Sequence, residues 1–185
     1  HEIRTPINVM LGMNEMILRE SESEEIRQYA KSIERSGGYL ISLINNILDI
    51  SRIESGKMEI EEGKYELRQL LDEVMLIAEK QAEQKSLKMN LIFDKTLPAY
   101  LIGDVIHIKQ ILLNLINNAV KYTKEGQIDI KVSKNAEETK LIFEVKDTGI
   151  GIKEENLPIL FDAFMRVDSK KNKKIKGTGL GLAIA

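Results

Sequence analysis

Two helical patterns of apolar residues open the chain, and a charged segment separates them. Over residues 2–19, apolar side chains return at spacings of three, four and seven, which is typical of one face of a helix. Residues 19–25 are all either charged or Ser, and they are interpreted as a connection. The second pattern is a heptad repeat made of two parallel series whose members are seven residues apart. One series is Ile26, Ile33, Leu40 and Ile47, and the other is Tyr29, Ser36, Leu43 and Ile50. Such a repeat predicts a helix that packs against other helices.

The two predicted helices form a hairpin that is too small to stand alone. A pair of helices buries little apolar surface, so the heptad series predicts self-association of two hairpins into a dimeric four-helix bundle. Gly37 and Gly38 lie inside the second helix and are expected to weaken it locally.

A domain boundary is predicted in residues 55–63, where turn residues replace apolar ones. It divides the chain into residues 1–64 and 65–185. In the second part the patterns alternate between helix and strand, which predicts an α/β sandwich with a largely antiparallel sheet. The elements expected there are a helix near 67–84, a strand near 87–93, a helix near 104–122, and two hairpin strands near 127–133 and 139–146.

Composition narrows the classes of protein that fit. Of the 185 residues, 43% are hydrophobic and 30% are charged, so a packed core is expected. The net charge of −2 gives no global positive field for nucleic acid or an anionic membrane. Cysteine is absent, which excludes disulfides and fits a reducing compartment. Without a signal peptide, or an apolar run near the roughly 18 residues of a membrane span, a soluble cytoplasmic piece is expected.

The helix predicted near 104–122 carries a candidate cation site. Asn114 and Asn118 are four residues apart and therefore share one helix face. Their amide oxygens can ligate a hard cation such as Mg²⁺, and Lys121 can reach the same face to meet a phosphate. Taken alone, the pair is better explained as a polar helix face.

Two glycine-containing segments are candidates for a nucleotide site. Asp147 follows a predicted strand, and its carboxylate can accept a hydrogen bond from the exocyclic amine of adenine, while Gly149 and Gly151 allow a base to approach the backbone. Gly177, Gly179 and Gly181 precede a predicted helix start, where amide groups and the helix dipole favour phosphate. Taken alone, the segment from Asp147 to Gly151 is interpreted as an ordinary turn, and the three spaced glycines are weak evidence. The spacing of Gly177, Gly179 and Gly181 differs from the Walker-type phosphate loop and the dinucleotide fingerprint.

In combination, these motifs resemble the catalytic core of bacterial sensor histidine kinases of two-component systems. His1-Glu-Ile-Arg-Thr-Pro6 is similar to the family's H box, and Asn114 to Thr123 to its N box. The G1, F and G2 boxes are matched by three further segments, which are Asp147 to Gly151, Phe161 to Phe164 and Gly177 to Leu182. The opening His-Glu-Ile-Arg-Thr-Pro-Ile-Asn further resembles kinases of the hybrid type, which carry a receiver domain elsewhere.

The resemblance implies roles for the first residues. His1 is expected to be the phosphoacceptor, which agrees with the free ring nitrogen of a neutral imidazole. Glu2 is expected to orient the ring or take its other proton, and Thr5 to position water when phosphate is removed from the partner regulator. Pro6 lacks a backbone N–H and is expected to bend the helix beside His1.

The resemblance also implies the residues that bind ATP and Mg²⁺. Asn114 and Asn118 are expected to hold the metal, Lys121 and Arg166 to offset phosphate charge, and Tyr122 to stack near adenine. The nucleotide is further expected to contact Asp147, Gly149, Gly151, Gly177, Thr178, Gly179, Leu180 and Gly181. The lysine-rich stretch 170–176 is expected to be a solvated lid, and Phe161 and Phe164 either anchor that lid or belong to the core. His107 replaces the arginine usual in the family and is expected to be a partly exposed helical residue.

The implied function is ATP-dependent autophosphorylation of a histidine and transfer of the phosphoryl group to an aspartate of a response-regulator receiver domain. Phosphatase activity toward that regulator is a further implied activity. Two alternatives are a catalytically inactive, nucleotide-binding regulatory dimer and a fragment of another ATPase of the gyrase and chaperone superfamily. Family members have additional elements at both ends, so a C-terminally truncated ATP-binding domain is expected, with any membrane anchor in segments outside this chain.

Overall fold

The structure, a computed structural model, describes residues 2–94, 96–135, 137, 139–165 and 178–185. The chain divides into two compact units, residues 1–58 and 59–185. The first is helical and the second mixes helices with strands, so the predicted fold class is confirmed. The functions assigned to residues 1–64 and 65–185 stay predictions. Among the described residues, no helix has the length and apolar character that a membrane crossing requires.

The first unit is a hairpin of α1 (Arg4–Glu20) and α2 (Glu24–Glu54). The connection between them is shorter than predicted because Ser23 caps α2, with its hydroxyl accepting from the backbone N–H of Ile26 at 3.4 Å. Glu24 and Glu25 then occupy the first turn, where negative charge is favoured by the helix dipole.

Polar contacts define how the two helices of the hairpin align. Asn14 is buried and its Nδ2 donates to the carbonyl oxygen of Ala30 at 2.8 Å. Arg4 Nη2 donates to Asn45 Oδ1, also at 2.8 Å. A buried amide that pairs with only one carbonyl penalises a shift along the helix axis, so these contacts favour one register.

Gly37 has a packing role that the sequence pattern did not indicate. The α2 helix continues through Gly37 and Gly38 without a break. A β-carbon at Gly37 would lie 2.6 Å from Leu11 Cδ2, whereas one at Gly38 would meet open space. Gly37 therefore allows Leu11 of α1 to approach the backbone of α2 closely.

One heptad series of the hairpin remains exposed. Ile26, Ile33, Leu40 and Ile47 are 41–49% accessible, and α1 adds exposed Val9, Met10, Met13 and Met16. Apolar side chains of this number are expected to be covered by a second helical pair. The four-helix dimer stays a prediction, supported by this exposed face.

Pro6 lies in the first turn of α1, as its third residue. The backbone N–H groups of a first turn have no partner within their own helix, so a proline there removes no helical hydrogen bond. The bend expected at Pro6 stays a prediction.

The second unit contains five strands and three α-helices among its described residues. They are, in chain order, β1 (Gly63–Glu66), α3 (Leu67–Glu83), β2 (Lys88–Phe93), β3 (Tyr100–Gly103), α4 (Val105–Tyr122), β4 (Gln127–Lys134), β5 (Leu141–Asp147) and α5 (Gly181–Ile184), with a 3₁₀ turn at Glu154–Ile159 before α5. One sheet pairs β1 with β3, and the other has the order β2-β4-β5.

The second sheet is mixed, in contrast to the largely antiparallel sheet expected. The β4–β5 hairpin is antiparallel as predicted, but β2 pairs with β4 in parallel, from Lys88 opposite Gln127 to Phe93 opposite Val132. A parallel pair requires a long crossover, and the segment containing α4 supplies it. The four-residue strands β1 and β3 were not predicted because so few residues give no clear alternation.

Helices α3 and α4 pack on this sheet through one continuous core. Leu70 and Val74 of α3, Leu112 and Ile116 of α4, and Ile128 and Ile130 of β4 are each at most 2% exposed. The opposite face of α4 is therefore the one available to carry polar side chains.

Asp104 caps the start of α4 and joins it to the backbone at Glu61. Its carboxylate accepts from the backbone N–H of His107, from His107 Nδ1 at 2.6 Å, and from the backbone N–H of Glu61. These hydrogen bonds, those from His107 first, lower the pKa of Asp104 from its usual 3.8 to about 2. His107 is 30% exposed, as expected of a partly exposed helical residue, and its contact with Asp104 was not predicted.

We predict that Asp104 makes the free energy of unfolding depend on pH between about 4 and 2. The folded-state pKa lies below the usual value, so the unfolded chain binds the proton first and the stabilisation is lost as the pH falls through this range. Urea unfolding should show a smaller loss over this range in Asp104→Asn, which keeps a capping oxygen without the charge. Equal pH slopes for the two proteins would contradict this assignment.

Candidate functional site

The polar face of α4 meets the start of α5 at Asn114. Asn114 and Asn118 are half-buried and one helical turn apart. A β-carbon at Gly181 would lie 3.6 Å from both Cγ and Oδ1 of Asn114, so the two residues are in close contact. Within the described part of the chain, Asn114 Nδ2 is buried without a hydrogen-bond partner. A buried amide without a partner requires an explanation, and a bound ligand supplies one.

The carboxyl end of α4 places three more side chains near one another. The Lys121 ammonium lies 4.7 Å from the centre of the Tyr122 ring, a cation–π contact. Thr123 ends the helix and is fully buried, and its hydroxyl has no hydrogen-bond partner among the described residues. The helix therefore presents a cation and an aromatic ring at the end opposite to its capped start.

Asp147 ends β5 and turns the chain toward this helix end. Its Oδ1 accepts from the backbone N–H of Gly149 at 2.8 Å. A β-carbon at Gly149 would lie 2.6 Å from the carbonyl oxygen of Tyr122, 2.7 Å from Asp147 Oδ1 and 3.0 Å from Thr123 Oγ1. No side chain fits between these atoms, so glycine is required here because of space.

Backbone hydrogen bonds hold residues 147–151, here called the Asp147 loop, in place. The N–H of Ile150 donates to the carbonyl oxygen of Tyr122 at 3.3 Å. The Thr148 hydroxyl accepts from the N–H of Gln127 at 3.1 Å, and a β-carbon at Gly126 would clash with that hydroxyl. The loop is thus joined both to α4 and to the start of β4.

Gly151 is required for a different reason. Its φ of +68° lies in the left-handed region, and a β-carbon there would meet nothing within 4 Å. Glycine adopts this conformation without the penalty that other residues pay. The open space beside Gly151 contrasts with the tight contact at Gly149, so the turn is closed toward α4 and open on its other side.

The last glycine-containing segment packs against the backbone near Phe164. Gly179 has a φ of +74°, and its carbonyl oxygen accepts from the N–H of Phe164 at 3.0 Å. The hydroxyl of Thr178 accepts from the N–H of Leu180, whose side chain is fully buried. Phe161 and Phe164 are exposed, so the alternative that they are core residues is wrong.

The structure therefore brings the predicted residues of the second unit into two neighbouring sets on α4. Asn114 contacts Gly181, and Gly149 contacts both the carbonyl oxygen of Tyr122 and the carboxylate of Asp147. In the first unit, Glu2 and Thr5 are exposed at the start of the hairpin. Outside the described residues lie His1, Arg166, Gly177 and the lysine-rich stretch 170–176.

Two residues of this region were not singled out from the sequence. Thr123 lies against Gly149 beneath the Asp147 loop, and Thr148 ties that loop to β4. A threonine directly after the last helical residue is not a distinctive signal, and the position of Thr123 against Gly149 joins segments that are distant in sequence. Pattern reasoning alone does not supply that contact.

We predict that Gly149→Ala lowers the free energy of unfolding by about 1–3 kcal/mol, because the new methyl group overlaps backbone and carboxylate oxygens that cannot move independently. Gly63→Ala is the control, since its β-carbon meets open space, and it should change stability by about 0.5 kcal/mol or less. Urea unfolding followed by circular dichroism measures both. Similar effects of the two substitutions would contradict the close packing at Gly149.

Two protein-family models match the chain. Residues 1–56 match the His Kinase A (phospho-acceptor) domain, and residues 103–185 match the histidine kinase-, DNA gyrase B- and HSP90-like ATPase. The first covers the hairpin, and the second covers α4, the Asp147 loop and α5.

Curated relatives align over the whole chain. It is 40% identical to hybrid signal transduction histidine kinase B of Dictyostelium discoideum and to the signal transduction histidine-protein kinase BarA of Escherichia coli K12. It is 36% identical to the autoinducer 2 sensor kinase/phosphatase LuxQ of Vibrio cholerae. The chain covers only 10%, 20% and 22% of these three relatives, so it corresponds to one part of each.

Solved structures give the same result. The fold matches full-length ShkA in complex with AMPPNP with a TM-score of 0.81 and 31% identity, over 100% of this chain and 38% of that one. It matches the histidine kinase ThkA in complex with the response regulator protein TrrA with a TM-score of 0.58 and 26% identity, over 90% of this chain and 48% of that one. With both of its units matched in order, this chain belongs to the histidine kinase family.

Proposed function

We propose that this chain transfers the γ-phosphoryl group of ATP to His1 and then to an aspartate of a response regulator. The observation that carries the proposal is the contact of the Asp147 loop with the carboxyl end of α4, at Gly149 and Tyr122. The same helix carries Asn118 one turn and Asn114 two turns before Tyr122. One rigid element thus presents groups suited to the base and groups suited to the phosphates.

The Asp147 loop supplies the features that adenine recognition needs. With Oδ1 bound to the N–H of Gly149, the exposed carboxylate of Asp147 is oriented to accept from the exocyclic amine of adenine. Guanine presents an oxygen at that position and would be rejected. The open side of Gly151 gives a base access to the backbone, and Tyr122 provides an aromatic ring beside it.

The residues on α4 fit a magnesium–triphosphate group. Asn114 and Asn118 offer amide oxygens, which are ligands that Mg²⁺ accepts, and Mg²⁺ sites are commonly completed by substrate phosphates. The buried Asn114 Nδ2, which has no hydrogen-bond partner among the described residues, fits a site in which phosphate oxygens are the missing acceptors. When bound, Mg²⁺ would neutralise phosphate charge, to which Lys121 and Arg166 add their own positive charges. Thr178, Gly179, Leu180 and Gly181, together with Gly177, would border the phosphates.

In the transfer step, a ring nitrogen of His1 bonds to the γ-phosphorus while the bond to the β–γ bridging oxygen breaks and ADP leaves. The proton on the other ring nitrogen passes to Glu2 or to water. Catalysis of this kind depends mainly on positioning and on charge stabilisation. His1 and the nucleotide residues belong to different units of the chain.

Partners follow from the same proposal. The exposed heptad series supports a homodimer formed through the hairpin, and the relative ThkA, solved with a response regulator, supports a receiver domain as acceptor. The relative named kinase/phosphatase supports an opposing activity, removal of phosphate from the response regulator, with Thr5 as the residue that positions water. The chain spans about a tenth to a quarter of the length of its curated relatives. We therefore propose that it is part of a longer, hybrid-type protein, which would also contain the sensor and receiver domains and any membrane-anchoring segment. In that protein this part would lie in the cytoplasm.

We predict that the protein, incubated with γ-labelled ATP and Mg²⁺, acquires label that is stable to base and labile to acid, as expected of phosphohistidine. His1→Gln should abolish this label while nucleotide binding, measured by calorimetry, is retained, because the acceptor is remote in sequence from the ATP residues. Label that persists in His1→Gln would overturn the assignment of His1. Nucleotide binding by the unaltered protein without any label would favour the inactive regulatory dimer.

A second prediction separates a cation-binding asparagine from a merely polar helix face. Asn118→Ala should slow labelling on the order of 100-fold, because a group that stabilises developing charge is lost. The neighbouring Asn117 is exposed, so Asn117→Ala is the control and should change the rate by about twofold or less. Equal effects of the two substitutions would show that Asn118 has no special role.

A further inference from the structure

The carboxyl end of α4 has backbone carbonyl groups that the helix itself cannot satisfy. The last four carbonyls of any α-helix lack the N–H groups of a following turn. In α4 the first of them, at Ala119, accepts from the N–H of Thr123 at 3.0 Å. The carbonyls of Val120, Lys121 and Tyr122 need partners from elsewhere in the fold.

A lysine from a distant segment supplies most of these partners. Lys85 Nζ donates to the carbonyl oxygens of Val120 at 2.6 Å, Lys121 at 3.0 Å and Thr123 at 3.4 Å. An ammonium group has three N–H donors, and this one is directed to three carbonyls. Its positive charge also opposes the partial negative charge at the carboxyl end of the helix dipole.

The turn after α3 presents Lys85 to this helix end. Ser86 adopts a left-handed conformation with a φ of 56°, and the N–H of Leu87 donates to the carbonyl oxygen of Ala82 at 3.1 Å. This is the hydrogen bond of a Schellman turn, which closes the end of a helix. The side chain of Leu87 is buried in the core, so the turn that carries Lys85 is fixed.

The remaining carbonyl, that of Tyr122, has its contacts with the Asp147 loop. It accepts from the N–H of Ile150 and lies 2.6 Å from the position of a β-carbon at Gly149. Lys85 therefore holds the carbonyls on both sides of the one that contacts the loop. Any fraying of the last turn would move the carbonyl of Tyr122 and release Gly149 and Asp147 with it.

We infer that Lys85 is a positioning residue for nucleotide binding. Its ammonium fixes the last turn of α4, and through the carbonyl of Tyr122 it fixes the loop that carries Asp147. The inference rests on the proposed function, because it concerns the same nucleotide site. Lys85 itself has no contact with the nucleotide in this assignment, so its effect is on affinity through the geometry of the site.

The test compares the affinity for Mg²⁺-ATP in three variants, measured by calorimetry on the full chain at a temperature where each is folded. Lys85→Met removes the donors and the charge but keeps the length of the side chain, and it should raise the dissociation constant about three- to tenfold. Lys85→Arg keeps the charge and should change it about twofold or less. Lys88→Met, which replaces an exposed lysine of β2, is the control and should have no effect.

Two measurements distinguish positioning from simple stabilisation. Amide exchange of Ile150 should become faster in Lys85→Met, because its N–H bonds to the carbonyl of Tyr122. A Lys85→Met protein with a lower melting temperature but unchanged affinity would overturn the inference. If the methionine variant does not fold, Lys85→Gln, which keeps an amide donor, is used for the same comparison.

The failure of the inference and the failure of the proposed function are distinguishable. If the unaltered chain does not bind Mg²⁺-ATP, the proposed function itself fails. If the unaltered chain binds Mg²⁺-ATP and Lys85→Met and Lys85→Gln bind it equally well, only the role of Lys85 is overturned.

Discussion

The close approach of Gly149 to the carbonyl oxygen of Tyr122 is the contact on which the candidate site depends. At 2.6 Å from the position of a β-carbon, it leaves room for hydrogen alone, so it joins a helix end to a strand end without any side chain between them. The same point is within 3.0 Å of Asp147 Oδ1 and Thr123 Oγ1. Base recognition by Asp147 and phosphate recognition by the helix can then belong to one rigid arrangement, which is the condition for precise positioning.

Helix α4 is the element that makes this arrangement possible, because it is held at both ends and along one side. Asp104 caps its first turn and also binds the N–H of Glu61, close to the boundary between the two units. Lys85 holds its last turn, and Leu112 and Ile116 bury its inner face. A helix fixed in this way tolerates a buried amide at Asn114 that has no partner in the part of the chain that the structure describes, since packing elsewhere offsets that cost.

The sequence was sufficient to predict the elements whose periodicity is long and strong. The hairpin, α3, α4 and the β4–β5 hairpin are all in place, and the boxes that contain Asn114, Asp147 and Gly181 identified the family. Contacts between segments far apart in sequence could not be predicted in this way. The parallel pairing of β2 with β4, the bond between Asp104 and Glu61, the packing of Leu11 on Gly37 and the reach of Lys85 to α4 each depend on tertiary structure, which no local pattern records.

The parallel pairing of β2 with β4 also has a consequence for how the site forms during folding. Asn90 and Asp129 are bonded across these strands although 39 positions separate them in the chain, so their meeting requires a large loop to close. Lys85 lies just before β2, and Asp147 lies opposite Ile128 of β4, so both residues are adjacent to strands of this one sheet. A chain with α4 helical but this sheet unpaired would therefore lack the arrangement of Lys85 and Asp147 at the end of α4. Completing the site thus requires closure of a large loop as well as formation of the helix.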